Sequence, residues 1–422
     1  MSAYKINTSL VKVVSILCVP VGIMTTILLP SSSLAVETHT KIVTSKLNET
    51  EKWLNNRIFE AMSDKHAPSY NVGIILDGQV ALQKSYGVLD VTTKTPTTLT
   101  TTYQVASITK TFVGALAAVF AADKRVDLDS PIAHYVPNIK FHPKIDANTI
   151  TLRSLLTHYS GLPSNPNNRK NIRVPQLSNY FDPTIGAPYS FKELLDAVAT
   201  TEPKYTAGER YYYSNFGMYL AAYVLTKVSG ETDFYQALST HILTPLQLTN
   251  TFVRKSNKHD ANMATPYASN NDNSLITTSL GTHQHIAIPP WTFGDVTGAL
   301  GLSSNILDLS KYIAHLINDS QKPSPLSLQA RDLLFESNAE FIKDNAHVFE
   351  IGLAWRIRPF GRYGTIYSHG GHNDGHHAYI LFSREKKVGV IMLTNGPHDI
   401  NKTLATQTML KLMQTFHYES PL

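Results

Sequence analysis

The chain of 422 residues has a single cysteine, Cys18, and few charges: only 16% of its residues are Asp, Glu, Lys or Arg. One cysteine excludes an internal disulfide framework. Its place inside an N-terminal apolar run also leaves the body without a thiolate nucleophile or a cysteine metal ligand. The net charge is +5, to which Lys5 and Lys12 contribute ahead of that run. What remains is mild and scattered, so nucleic acid is not expected as a partner. Internal repeats are lacking too. With 42% hydrophobic residues, disordered and fibrous classes are excluded, and a body this long buries enough apolar surface without covalent staples.

What is present begins with a leader. Lys5 and Lys12 precede an apolar run from Val13 to Leu29, and "PSSSLAVE" then offers small residues at Ser33 and Ala35. This pattern predicts a signal peptide over residues 1–35, cleaved after Ala35, and so an exported body, periplasmic or secreted. The run is long for a signal peptide. The alternative is an uncleaved N-terminal membrane anchor, which Pro20 disfavours as a spanning helix. The residues "SIL" before Cys18 lack the small residue that lipidation needs. Residues 36–48 read as a polar linker and 49–420 as the body.

Within the body, a helix-like segment near Glu49 to Met62 precedes two strand-like runs around Asp77-Gly78, a strong hairpin signal. From Ser107 the stretch "SITKTFVGALAAVFAADKRV" reads as a buried helix. Further helices are expected near Leu152 to His158, Phe191 to Thr200, Asn215 to Ser229, Asp233 to His241 and Ile306 to Ile317. Polar loops from Gly161 to Pro188 and from Thr265 to Pro290 are long enough to serve as lids. Strand signals return in "EIGLAWRIRPF", "HHAYILFS" and "KKVGVIMLTN". Strands at both ends predict one sheet built from about 49–106 and 291–420, with a mainly helical region of about 107–290 inserted.

Ser107-Ile108-Thr109-Lys110 places a serine and a lysine three residues apart where the helix begins. The spacing alone is weak, because Ser2 to Lys5, Ser9 to Lys12 and Ser383 to Lys386 share it. On a helix, however, positions three apart lie on one face about 5 to 6 Å apart, so Lys110 can reach the Ser107 hydroxyl. A lysine with a pKa of ~10.4 is a poor base, and bringing it near neutrality costs the charged form about 4 kcal/mol. The apolar run behind Lys110 supplies the burial this needs.

Several stretches, in a consistent order from about Asn71 to Asn395, resemble the β-lactamase-related serine hydrolases: "SITK", "VDLDSPIAHYVP", "ITLRSLLTHYSGLP", "AGERYYYSNFGMYLAAYVLTKVSG", "LTPLQLTNT", "GALGLSSNILDLSKYI", "IGLAW" and "SHGGHNDGHHAYILFSREKKVGVIMLTN". That family includes class C β-lactamases, D-alanyl-D-alanine carboxypeptidases, D-aminopeptidases and esterases, and the serine-xx-lysine motif is its signature. The resemblance implies an α/β (α+β) fold of the β-lactamase and transpeptidase type, with an antiparallel sheet flanked by helices.

The resemblance also implies roles. Ser107 is the nucleophile and Lys110 its base. Tyr213 shares proton transfer with Lys110, the cationic neighbour a tyrosine needs to act as a base. Asn215 bonds Lys110 and the substrate amide. His369, Gly370 and Gly371 line the substrate on an inner strand, where the glycines allow close approach. The backbone N–H groups of Ser107 and His372 form an oxyanion hole.

Where the β-lactamases have lysine-threonine-glycine, this chain has His369-Gly370-Gly371. A histidine with a pKa of ~6.5 supplies no dependable cation for a β-lactam or a terminal carboxylate. The expected activity is therefore acyl-enzyme chemistry on an amide or ester, carboxypeptidase-like or esterase-like, with weak or no β-lactamase activity. Peptidoglycan stem peptides are among the candidate substrates. No cofactor and no metal are expected, because His369, His372, Asp374, His376 and His377 fall on a strand and turn, where alternate residues face different ways, and not on a helix that would make a zinc pair; the histidines other than His369 read as loop or rim residues. Taken alone, "RYYYSN" also fits a tyrosine-rich core edge with Ser214 as a helix cap, His158 fits a brace, and Trp291 and Tyr159 fit packing or cleft lining. The alternative function is a catalytically silent protein that binds wall peptides or a partner in the same cleft.

Overall fold

A computed structural model describes residues 32–63, 67–167, 190–253, 261–269, 285–318, 324–343, 346–396 and 400–416. The leader expected over residues 1–35 lies almost entirely outside them, as do most of the lid expected from Gly161 to Pro188 and the middle of the Thr265 to Pro290 loop. Among the described residues, no helix is long and apolar enough to cross a membrane. Residues 1–48 and 49–422 form two units; the sheet and the candidate site belong to the second.

In chain order the strands are β1 (Ser69–Leu76), β2 (Gln79–Asp90), β3 (Thr95–Pro96), β4 (Tyr103–Gln104), β5 (Phe252–Val253), β6 (Tyr267–Ser269), β7 (His285–Ala287), β8 (Leu302–Ser304), β9 (Ala339–Lys343), β10 (Ala346–Ile351), β11 (Arg356–Pro359), β12 (Thr365–Asn373), β13 (His376–Ser383) and β14 (Val388–Thr394). The helices are α1 (Ser32–Ser63), α2 (Thr109–Ala122), α3 (Leu152–Leu156), α4 (Phe191–Thr200), α5 (Asn215–Ser229), α6 (Phe234–Leu238), α7 (Ile306–Ile317), α8 (Leu328–Phe335) and α9 (Asn401–Thr415).

Residues 36–48, expected as a polar linker, lie within α1. The helix expected over Ile306 to Ile317 is α7; α8 follows it, and the sheet resumes at Ala339, ahead of the strand signal that begins at Glu350. The ends of the expected second loop pair with each other as β6 and β7.

Nine strands form one antiparallel sheet in the order β3-β2-β1-β14-β13-β12-β11-β10-β9. The β1-β2 hairpin turns on Asp77 (φ 49°) and Gly78 (φ 75°), the two left-handed residues that a twist-matched two-residue turn requires. Every residue of β1, β13 and β14 is buried. These strands read as unbroken apolar runs because helices cover both faces. Gly73 and Gly389 lie against the Ile306, Ser310, Ile313 and Ile317 side chains of α7. On the other face α9 packs on β13 and β14, and Tyr86 of β2 donates to Asn55 Oδ1 of α1.

Helix α2 runs through the middle of the helical region, with Thr109 to Phe120 all buried, and it packs against α3, α5, α6 and α8. A helix apolar on all sides is stable only when enclosed. Lys110, in its first turn, is enclosed with it.

Candidate active site

Ser107 occupies the centre of a 3-10 turn, Ala106–Ile108, that leads into α2. The residue before it, Ala106, has φ 44°, a left-handed conformation that costs a non-glycine residue about 1–3 kcal/mol and persists only where its surroundings enforce it. The surroundings are visible. Val105 N–H donates to Leu302 O at 2.9 Å, and Leu302 N–H donates to Thr109 Oγ1 at 3.1 Å. The small sheet β4-β8-β5 thus clamps the turn on both sides of Ser107.

Lys110 is fully buried. Its Nζ lies 3.0 Å from Ser107 Oγ and donates to Ala299 O at 2.8 Å. Tyr213 Oη donates to Ser107 Oγ at 3.0 Å, and Lys110 Nζ lies 5.0 Å from the Tyr213 ring centroid. One serine oxygen therefore meets an amine and a phenol, drawn from two segments about a hundred residues apart. Burial pushes the Tyr213 phenol up to about 12 against opposing help from Ser107 and Arg356. Tyr213 holds its proton in the resting site, which differs from the expectation of a base made by a cationic neighbour: desolvation outweighs the nearby positive charge.

Ser107, Tyr213, Asn215 and His372 line a cleft of about 700 Å3 together with Asn165, Trp291 and Asp374. Asn215 begins α5; its Nδ2 donates to Asn165 Oδ1 at 3.4 Å, and its Oδ1 is buried with no hydrogen-bond partner among the described residues. Ser214 is the helix cap: its Oγ accepts from Gly217 N–H at 2.8 Å and donates to Pro163 O at 2.7 Å. The Trp291 backbone is fixed by Gln104, whose side chain accepts from the main-chain N–H at 2.9 Å and donates to the carbonyl at 2.7 Å. Tyr159 instead donates to Glu340 O, away from Ser107.

His369 sits on β12 behind the cleft wall, 2% exposed. Its Nδ1 is 2.8 Å from Gly370 O, and since a carbonyl only accepts, that nitrogen carries the proton. Burial first, then Arg356 and Lys110, hold its pKa well below the ordinary histidine value, so it is neutral. Gly371 has a different reason from the one expected: a Cβ there would collide with the Val105 carbonyl. The missing side chain lets β12 close on the serine turn itself. Gly370 faces the Tyr379 ring. Strand β12 pairs with β11 only through residues 365–368, whereas its pairing with β13 continues to Asn373. The other edge of residues 369–373 is therefore unpaired among the described residues, on the side where a chain could add.

His376 and His377 correct the expectation of loop or rim positions, whereas His372 lies at the rim of the cleft. His376 and His377 are buried strand residues. His376 accepts from Gln104 N–H at 3.3 Å and donates to Ala264 O at 2.9 Å, and burial drops its pKa to about 4. His372 is exposed, with Nδ1 2.7 Å from His377 Nδ1. Among the described residues, no group of three or more His, Cys, Asp or Glu side chains could hold a metal ion.

Two residues gain importance that sequence reading did not give them. Arg356, on β11, is a permanent cation whose field reaches Tyr211, Tyr213, His158 and His369. Nothing in "AWRIRPF" distinguishes it from a strand residue. His158 lies against Tyr213, ring centroids 4.5 Å apart.

The comparisons with known proteins place this fold and site within a family. The chain belongs to the β-lactamase family, whose model, described as "Beta-lactamase", matches residues 54–411. A relative named "Protein flp" from Staphylococcus aureus (strain MW2) is 25% identical over 82% of this chain and 64% of its own length. The chain thus spans less than two thirds of that relative. A "Beta-lactamase" from Providencia stuartii is 23% identical over 82% of this chain and 87% of its own length. Among solved structures, an octameric penicillin-binding protein homologue from Pyrococcus abyssi superposes with a TM-score of 0.69 at 26% identity, over 86% of this chain and 77% of that one. A β-lactamase/D-alanine carboxypeptidase from Pseudomonas syringae does so with a TM-score of 0.67 at 18% identity, over 88% and 100%.

Proposed function

We propose that this protein is an exported serine hydrolase that forms an acyl-enzyme at Ser107 on an amide or ester, carboxypeptidase-like or esterase-like, with weak or no β-lactamase activity. The observation that carries the reading is the meeting of Lys110 Nζ and Tyr213 Oη on Ser107 Oγ, each at 3.0 Å. The leader pattern supports export.

In this reading Lys110, as a neutral amine, takes the Ser107 hydroxyl proton while Oγ attacks the carbonyl carbon. The oxyanion falls to the N–H groups of Ser107 and His372, at ~3 to 4 kcal/mol per donor. Collapse breaks the bond to the leaving nitrogen or oxygen, which takes the Tyr213 proton; the proton held by Lys110 restores the phenol. Water then attacks the acyl carbon by the same steps, and Asn215 with the open edge of β12 orients a peptide-like substrate.

The neutral His369 offers no charge to a β-lactam carboxylate, which supports the weak β-lactamase expectation.

The test is intact mass spectrometry after incubation with a fluorophosphonate, a penicillin and a p-nitrophenyl ester, on native protein and Ser107→Ala. The expected result is adducts on native protein alone, with the ester adduct lost quickly and the penicillin adduct persisting. No adduct from any reagent, or equal labelling of Ser107→Ala, overturns the reading.

A further inference from the structure

We propose that His158 is a positioning residue that brackets Tyr213 and holds its hydroxyl on Ser107, an inference that rests on the reading of Ser107 given above. Tyr213 belongs to the short segment that ends at the cap of α5. The residues on both sides of it are tied to the same histidine: Tyr212 N–H donates to His158 O at 2.8 Å, and Ser214 N–H donates to His158 Nδ1 at 3.2 Å. The imidazole also packs on the Tyr213 ring, tilted by 42°, and meets the edge of Tyr211 at 5.6 Å.

One residue can offer both its carbonyl and its side chain to one segment because His158 has φ 63°, a left-handed backbone. It is 1% exposed, so the bracket cannot be replaced by water.

The bracket works only with a neutral ring. An imidazolium carries a proton on both nitrogens, and its Nδ1–H would confront the Ser214 N–H donor to donor. The charged and titratable groups around it come from every side: Lys110 on α2, His369 on β12, Arg356 on β11, and Tyr211 and Tyr213 on the bracketed segment. Burial above all, with the permanent charge of Arg356 added to it, disfavours the cation and keeps its pKa well below the ordinary value. The enclosure that buries Lys110 buries His158 too, and so keeps the bracket closed.

The experiment compares native protein, His158→Leu and His158→Asn by melting temperature, by the rate of fluorophosphonate labelling at Ser107, and by crystal structure. His158→Leu keeps bulk but removes the acceptor; His158→Asn restores an acceptor oxygen near Nδ1 and tolerates positive φ. The expected result is labelling slowed roughly 10- to 100-fold in His158→Leu, with Tyr213 Oη drawn off Ser107 Oγ, and recovery to within about threefold of native in His158→Asn. Native labelling in His158→Leu, or slow labelling with Tyr213 unmoved, overturns the inference. If His158→Leu does not fold, the His158→Asn structure decides. The new amide oxygen on Ser214 N–H with Tyr213 in place supports the bracket; Tyr213 in place without that bond overturns it. Native protein that never labels removes Ser107 as nucleophile and leaves the Tyr213 to Ser107 separation in these structures to judge the bracket alone.

Discussion

Ser107 to Lys110 and Ser383 to Lys386 share a spacing and differ in almost everything else. The second quartet closes the β13-β14 turn: Ser383 Oγ accepts from the Lys386 backbone N–H at 3.2 Å, and Lys386 Nζ pairs with the neighbouring Glu385 at 3.0 Å. There the serine oxygen serves the backbone and the lysine serves a neighbouring carboxylate. In the first quartet a 3-10 turn feeds directly into a helix, both side chains fall on one face, and the lysine is enclosed by an apolar bundle with its Nζ 3.0 Å from the serine. Three residues of spacing become chemistry only where a helix aligns the pair and a core removes its water.

The sharpest way to break this comparison is to make the same change in both quartets. Lys110→Met is expected to slow labelling of Ser107 by about a thousandfold, in the range of a lost general base, and Lys386→Met to leave it within about twofold. Labelling kinetics on the two variants settle it; equal effects would mean that the buried lysine has no special part.

A smaller effect is expected from Gly371→Ala, which tests whether the serine turn depends on the closeness of β12. The added methyl meets the Val105 carbonyl, so stability falls by about 1–3 kcal/mol and labelling by roughly tenfold, read by denaturant melts and the same assay. A variant as stable and as reactive as native protein would separate the strand from the turn.

The gentlest test is pH. The His376 pKa falls to about 4, and those of His158 and His369 also lie well below the ordinary value. Unfolded chains bind these protons at higher pH than the native fold does. The stability these groups confer is therefore complete above pH ~6.5 and is lost as pH falls toward 4, about 3 kcal/mol for His376. Melting temperatures measured from pH 8 to 4 should decline through that window, and the decline should shrink in His376→Asn. A flat profile would argue that the three rings accept protons freely.

Much of this was legible in the sequence where local chemistry decides the outcome. Helix α5 starts at Asn215 and stops at Ser229 as read, because Ser214 caps one end and Gly230, at φ 80°, the other. The Asp77-Gly78 hairpin was equally legible. Illegible were features made by distant segments. Strands β4, β5 and β8 are two or three residues long and gain their partners only in the folded chain. The burial of His376 depends on Gln104 and Ala264, far away in sequence. His158 could be read as a brace, but not as a double one, since that depends on a positive φ that nothing adjacent announces. Arg356 acts through its field, which has no sequence pattern at all.

The order of strands carries a consequence for how the molecule forms. Strand β1, near residue 70, lies in the middle of the sheet against β14, near residue 390, with residues 70–75 paired to 389–394. More than three hundred residues must be looped before that seam can zip. Chains with such remote pairings fold slowly and expose unpaired edges meanwhile. On a ribosome releasing about 5–20 residues per second, the first strand would wait many seconds for its neighbour. The sheet can be completed only after β14 has been released, so the nascent chain stays pliable, and in need of protection from its own kind, for nearly all of its synthesis.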